Sequence, residues 1–425
     1  MTQNNLLNRF PIVKDLIWGN SIALAWTWGL GLFFSIQFAL MFGTAGLLWF
    51  SIPNAIGLGM FGVIVHQLSK KLIRNNINIQ DYFAEKTKKY FWMFIIFQTG
   101  ALSINVFGFI RYVAISLEYS LITILLCLFV IPLLIASYGR TANIKWIHLI
   151  FGIPFIIAIL IILVKLNFIP STYSTNTFTS GLANVPSIYF IGWGIATTIS
   201  FLFAPWLDIQ HWQRAIQIQE EKANLSRSYI IGGTWFFLIM LFHGFLALYL
   251  KEHGIHFIAE QFMGDIYSYR YSVITTWLNA AGIGIFYLIF LVAATLSSIT
   301  SSFVSYRWYF VDLLKYENPF YIYVPYLLGY IIAGVLAGIG IQEEIYIPFM
   351  SFFFIYQYCI VLAMFDQKNL YPPDFNRTAC ILGLLLCVGG FFSVYFNTLG
   401  GLVLLCWPPL ILISFAGYVS KRRLV

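Results

Sequence analysis

The residues of this chain best suited to chemistry are hydroxyls set in one apolar run: Ala293, Ala294, Thr295, Leu296, Ser297, Ser298, Ile299, Thr300, Ser301, Ser302. Six hydroxyl residues in eight positions would be poorly placed against lipid. Helical Ser and Thr can return their hydroxyls to the backbone, or bind neighbouring helices together. They can also do more. Adjacent hydroxyls near a break in another helix complete an oxygen cage for a small hard cation, if the break frees carbonyls from the helix ladder. Other reactive side chains do not converge. His66, His148 and His243 are scattered, and His253 with His256 has no further ligand nearby. Cys127, Cys359, Cys380, Cys387 and Cys406 lie in apolar stretches without metal-ligand spacing. With no cluster of acid, His or Cys, an enzyme is not expected. Arg111 stands inside an apolar run with Glu118 seven residues on. A charge there either snorkels and pairs near the outer interface, or meets an anionic group of a substrate.

Such groups need membrane helices to hold them. Of 425 residues, 60% are apolar and 9% charged, against roughly 25% charged in a soluble domain. That composition excludes soluble enzymes, nucleic-acid binders and secreted disulfide scaffolds. The net charge of +8 sits in short loops between apolar runs, so no nucleic acid partner is expected. A bilayer span takes about 20 residues. The apolar runs predict an all-α integral membrane protein with about 12 transmembrane helices, at 22–44, 46–68, 91–117, 119–138, 146–165, 186–206, 228–250, 272–302, 320–341, 345–365, 378–397 and 399–418. The segment from Met1 to about Trp18 reads as polar, and the first run as a retained helix rather than a signal peptide. The longest loops fall near 69–90, 166–185, 207–227 and 251–271.

With a cytoplasmic N-terminus, 20 of the 24 Lys and Arg residues fall in cytoplasmic loops and 3 on the other side. That bias places both termini in the cytoplasm of a multi-pass protein of the cell inner (plasma) membrane. Transporters built from two inverted repeats break the first helix of each repeat near mid-membrane. The first span reads Trp26, Thr27, Trp28, Gly29, Leu30, Gly31, and the sixth has Gly192, Trp193, Gly194 and then Ala204, Pro205, Trp206. Both carry Gly or Pro interruptions beside tryptophan.

The run AATLSSITSSFVSYRWYFVDLLK resembles the eighth helix of the sodium:solute symporter family, with A-x-x-S-[ST] followed by an Asp-Leu, here Asp312 and Leu313. After the sixth span, LDIQHWQRAIQIQEEKANLSRS is similar to that family's D-x-x-x-x-Q-R run through Asp208, Gln213 and Arg214. SIQFALMFGTAG in the first span matches a Q-F-x-x-x-x-G pattern through Gln37, Phe38 and Gly43, and NINIQDYF resembles the loop after the second helix. The matches keep the family's order across 22–365.

The resemblance implies a LeuT-like fold of the amino acid–polyamine–cation superfamily. It would form a single membrane transporter domain over 1–425, with inverted repeats at 22–165 and 186–365 and two additional helices at 378–418. It also implies a Na+ site between the first and eighth helices and no organic cofactor. Carried over by residue, the ligands would be the Ala294 carbonyl, the Ser297 and Ser298 hydroxyls, and, counting back from Gln37, the carbonyls of Leu30 and Phe33. There are departures. Leu32 stands where many members have a polar residue, and the sugar-holding positions of the sixth helix fall on Phe201 and Ala204, which argues against a sugar. The extra N-terminal span of many members is missing.

The reading that follows is a Na+-coupled secondary active symporter, importing a small organic solute by alternating access. Trp28, Gln37, Trp193, Thr197 and Ser200 would offer the solute an aromatic and neutral-polar lining. That lining suits a compact zwitterion or a nucleobase-like ring, and an amino acid or related compound is preferred. Arg214 would act at an inner gate with Asp208 or Asp312. The alternative, from a different class, is a solute-sensing membrane receptor that keeps the fold and signals through a partner. Because the chain stops at Val425, shortly past the twelfth span, no output domain is expected. The span count has a direct check. A reporter fused after Val425 and a label at Thr175 should lie on opposite sides of the membrane; finding both on one side would undo it.

Overall fold

The computed structural model describes residues 11–27, 29–89, 91–111, 121–138, 144–166, 196–257, 266–316 and 318–338. Helix α1 (Pro11–Trp26) is broken from the next helix, α2 (Gly29–Arg74), around Thr27. Gly43 bends α2 with φ 65° and ψ −159°, a left-handed backbone that favours glycine. The bend separates an outer arm, Gly31–Leu40, from a long arm, Phe42–Arg74, and the outer arm makes an angle of 68° with α1.

The remaining elements are α3 (Ile79–Lys89), α4 (Phe91–Phe109), α5 (Leu121–Tyr138), α6 (Ile144–Leu166) and α7 (Ala196–Phe203), whose end tightens into a 3-10 turn at Ala204–Trp206. They continue with α8 (Ile209–Glu220), α9 (Leu225–Glu252), α10 (Ile266–Ala280), α11 (Gly284–Arg307) and α12 (Phe320–Gly338), with a π-helical turn at Trp308–Leu313 after α11. Among the described residues there is no strand. Among the described residues, four helical stretches are long and apolar enough to cross a membrane: Phe42–Arg74, Ile144–Leu166, Leu225–Glu252 and Gly284–Leu313. The bent pair of α1 and the outer arm makes a fifth if it is one span. The expected spans at 345–365, 378–397 and 399–418 lie outside the described residues, as does the first part of 186–206.

Four expectations are corrected. The segment before Trp18 is not a polar approach to a span beginning at 22, because Lys14, Asp15 and Trp18 all belong to α1. The polar side chains are tolerated there because the α8–α9 connection supplies partners. Asp15 is fully buried, pairs with Arg227 and accepts from the Asn224 amide at 2.9 Å. Trp18 donates to the Glu221 carboxylate at 3.1 Å, and Lys14 to the Glu221 carbonyl at 3.3 Å. The stretch at 207–227 is not an open loop either. It forms α8, capped by Asp208, whose side chain accepts from the Gln210 amide at 2.8 Å. The loop near 69–90 contains α3, and the span expected at 272–302 is divided into α10 and α11 by a turn at Gly282, with φ 72°.

Burial follows helical spacing. On α6, Ile150, Ile153, Ile157 and Leu160 are exposed along one stripe, while His148, Gly152, Phe155, Ala158 and Ile162 are buried on the other. In a membrane the first stripe faces lipid and the second faces α11 and α1. Helices α1 and α9 meet through small residues, since a Cβ on Gly19 would sit 2.4 Å from Ile231 and one on Gly232 2.6 Å from Ile22. The long arm of α2 meets α7 still more closely. A Cβ on Gly57 would lie 2.2 Å from the Phe201 carbonyl oxygen, a backbone atom with little freedom to move. Gly59, on the same helix, has nothing within 4 Å of its Cβ position. Gly57→Ala should therefore cost about 2 kcal/mol or more through overpacking. Gly59→Ala should be neutral or gain up to about 1 kcal/mol from helix propensity. Thermal unfolding of both variants in detergent would test this, and equal midpoints would refute the close contact.

Candidate cation site

A helix that stops inside a bilayer leaves its last carbonyls without intrahelical donors. Helix α1 ends at Trp26; the Thr27 amide still reaches the Ala23 carbonyl at 2.8 Å, and its hydroxyl reaches the same oxygen at 2.6 Å. Leu24 is thus within the last turn. Its carbonyl oxygen accepts from Ser298 Oγ at 2.9 Å and from Ser297 Oγ at 3.4 Å. Ser297 Oγ also lies 2.8 Å from the Ala294 carbonyl oxygen. Both serines are fully buried. Two hydroxyls and two carbonyls, all neutral oxygens, therefore meet where α11 crosses the end of α1.

The hydroxyl run of α11 lies against the end of α1. The carbonyl that the serines meet is that of Leu24, six residues before Leu30. Leu30 lies beyond the break, and the Phe33 carbonyl accepts instead from the Tyr271 hydroxyl of α10 at 2.9 Å. The chain leaves its helical path at Thr27.

Below the serines lies a buried guanidinium. Arg214 on α8 is fully buried, not the surface residue that its place between two spans suggests. Its Nη1 donates to the Gln210 carbonyl at 2.8 Å, its Nε to Ser21 Oγ at 3.2 Å and its Nη2 to Ser301 Oγ at 2.6 Å. Ser21 lies 2.7 Å from His148 Nδ1, and His148 Nε2 lies 3.2 Å from the Ser297 carbonyl oxygen. A carbonyl can only accept, so Nε2 carries the proton and Nδ1 takes the Ser21 hydroxyl. A continuous relay thus runs from Arg214 through Ser21 and His148 to the backbone of the cation-site serine.

A second branch runs from Arg214 through Ser301 to Gln210, whose side-chain nitrogen lies 3.5 Å from the Asp208 carboxylate and 3.4 Å from Ser302 Oγ. The expected ion pair of Arg214 with Asp208 or Asp312 is accordingly corrected: the hydrogen bonds of Arg214 go to neutral groups, and Asp208 is reached only through Ser301 and Gln210. Burial raises the Asp208 carboxyl to about 7, opposed by its bond from the Gln210 amide and by the Arg214 charge. Burial also lowers the Arg214 guanidinium to about 10. Ser21 and Gln210 escaped the sequence reading, in which His148 is set aside as a scattered histidine. The available signal was a polar side chain in an apolar run, where each such group needs a partner.

Trp28 and Trp193 lie outside the described residues, and Thr197 and Ser200 are carried by α7. Gln37 is buried on the outer arm, ten residues past Thr27, where its side-chain oxygen accepts from Arg270 of α10 at 2.5 Å. Eight helical steps from the start of α2 at Gly29 rise about 12 Å, which sets Gln37 away from the break. Close to it, His243 of α9 contacts the Leu32 carbonyl at 2.8 Å and the Tyr287 hydroxyl at 2.9 Å, tying the outer arm to α9 and α11. Arg111 is half-buried in the π-helical turn that ends α4, and Glu118 lies outside the described residues.

No family model matches the chain, and no curated protein does. Among solved structures, the fold is shared with the substrate-bound, outward-open state of a Na+-coupled sialic acid symporter. The TM-score is 0.62 at 13% identity, and the match covers 95% of this chain and 89% of that one. This chain therefore has a multi-pass membrane transporter fold.

Proposed function

We propose that the chain is a Na+-coupled symporter for a small organic solute, working by alternating access between two inverted repeats, 22–165 and 186–365. The observation that carries this reading is the meeting of Ser297 Oγ and Ser298 Oγ with the carbonyls of Leu24 and Ala294 at the end of a broken helix. A hydroxyl that donates to a carbonyl keeps lone pairs for a cation. A cluster of neutral oxygens at a half-helix C-terminus suits Na+, because the helix dipole there adds negative potential. The Thr27 carbonyl, one turn beyond Leu24 on the same face, would complete the cage. The transporter fold supports the same reading.

The solute would lie beside the two broken helices, near Trp28, Trp193, Thr197 and Ser200. An amino acid or related carboxylate is the favoured class; the sialic acid of the structural neighbour is also an acid. One Na+ crossing about 100 mV releases about 2.3 kcal/mol, enough for roughly a fifty-fold concentration ratio. The chain would sit in the inner (plasma) membrane with both termini cytoplasmic, following its Lys and Arg bias. Arg214 would then work at the inner side, tying α1 to α6, α8 and α11. Its influence on gating would come from the difference in its bonds between inward and outward states.

Two outcomes are expected. Ser297→Ala or Ser298→Ala should weaken Na+-dependent uptake by about 1–3 kcal/mol, the cost of a lost buried polar contact, with folded protein in the membrane little changed. Unchanged Na+ dependence in both variants would reduce the serines to packing. The second concerns pH. Above about 7 the Asp208 carboxyl is ionised and offsets the Arg214 charge; as pH falls through that value it takes up a proton, and the guanidinium beside the cation site is left uncompensated. Na+ half-saturation should therefore rise several-fold between about pH 8 and about pH 6. Asp208→Asn should show the weak, low-pH behaviour at every pH. A flat wild-type profile would contradict this account.

A further inference from the structure

Helix α11 carries two hydroxyl pairs one turn apart, Ser297 with Ser298 and then Thr300 with Ser301. Residues three apart on a helix share a face, so the lower pair repeats the upper one towards α8. All four side chains are fully or almost fully buried. The two pairs are met differently. The upper one faces the carbonyls of Leu24 and Ala294, oxygens that can only accept. Of the lower pair, Ser301 meets Arg214, whose Nη2 donates to Ser301 Oγ at 2.6 Å while the rest of the guanidinium is held by Ser21 Oγ and the Gln210 carbonyl; the Thr300 hydroxyl is buried without a hydrogen-bond partner among the described residues.

Those three partners are neutral oxygens, the same ligand type that the upper pair offers. Arg214 is thus a cation seated in an oxygen cage, tethered to α8. On the α6 side this cage is lined by His148, whose Nδ1 lies 3.5 Å from Arg214 Nη2. Among the described residues, no carboxylate hydrogen-bonds to Ser301 or to the guanidinium. Asp208 is held one step away, through Gln210. A mobile cation entering beside Thr300 would find the Ser301 oxygen already taken and a fixed like charge in a low-dielectric interior, where repulsion is strong.

We infer that Arg214 is a built-in cation filling the lower of two tandem oxygen sites on α11, so that the chain binds one Na+ and no second. The inference rests on the Na+ site proposed above and adds its stoichiometry. It also makes Arg214 a positioning residue for that ion. The guanidinium stands about one turn from Ser297 and Ser298, and its charge opposes Na+ binding there.

Equilibrium binding of radioactive Na+ to the purified full-length protein tests this without a known solute. One ion per chain with a Hill coefficient of one is expected for the wild type, and two ions per chain would overturn the inference. No saturable Na+ binding at all is a distinct result, which would sink the Na+-symporter reading itself. Arg214→Gln should tighten Na+ binding by about tenfold or more and raise the number of bound ions above one. Arg214→Lys, which keeps the charge, should stay at one. Unchanged affinity and number in a folded Arg214→Gln protein would overturn the role given to Arg214. Where that variant does not fold, the wild-type count still decides between one ion and two.

Discussion

A helix interrupted within a bilayer exposes carbonyls that water cannot reach, and much of this molecule can be understood as an answer to that constraint. Each unsatisfied backbone group in hydrocarbon costs several kcal/mol. The carbonyls at the end of α1 are answered by hydroxyls from α11, with Ser298 bonded to Leu24 and Ser297 shared between Leu24 and Ala294. Beyond the break, the Leu32 and Phe33 carbonyls are answered by His243 and Tyr271. The groups that repair the break are the same ones that would hold the cation in the proposed function. This is why irregular backbone in a membrane so often marks a binding site.

The second constraint is charge. A guanidinium inside a protein is costly unless its donors are satisfied. Arg214 meets that demand with neutral acceptors drawn from three helices, Ser21 on α1, Gln210 on α8 and Ser301 on α11. Each bond is also a tie between elements that must move relative to one another if access alternates. His148 extends the ties to α6. Ser21, His148, Arg214, Gln210 and Ser301 therefore form one hydrogen-bonded set that reaches the Ser297 carbonyl.

The N-terminal half of α1 is anchored separately. The Glu221 carboxylate takes both Lys145 and the Trp18 ring nitrogen, and Lys145 lies 5.2 Å from the Trp18 ring centroid. Asp15 pairs with Arg227 at the start of α9. Aromatic packing closes the space between these anchors and the break. The Trp26 ring meets His211 edge-on at 5.0 Å, and Phe61 packs against Trp206, Trp212 and Tyr229.

The sequence alone determined the class of molecule, because its composition leaves no alternative to a lipid-exposed surface. It also located the hydroxyl face of α11 and the neighbourhood of the break, since helical spacing places Ala294, Ser297 and Ser298 together and Thr27 stands among Trp and Gly residues. What it could not supply was which turn of α1 those serines meet. Gln37 suggested Leu30 and Phe33, whereas the contact falls on Leu24. Nor could it show that Arg214, between two apolar runs, would be drawn inside by a polar helix that reads as a loop. The reason is the same in both cases. Periodicity along a chain decides which residues share a face of their own helix. The axial slide of one helix against another is decided by how their surfaces interlock, here by contacts such as Gly19 against Ile231 and Gly57 against the Phe201 backbone, distant in sequence and set only by the packed fold.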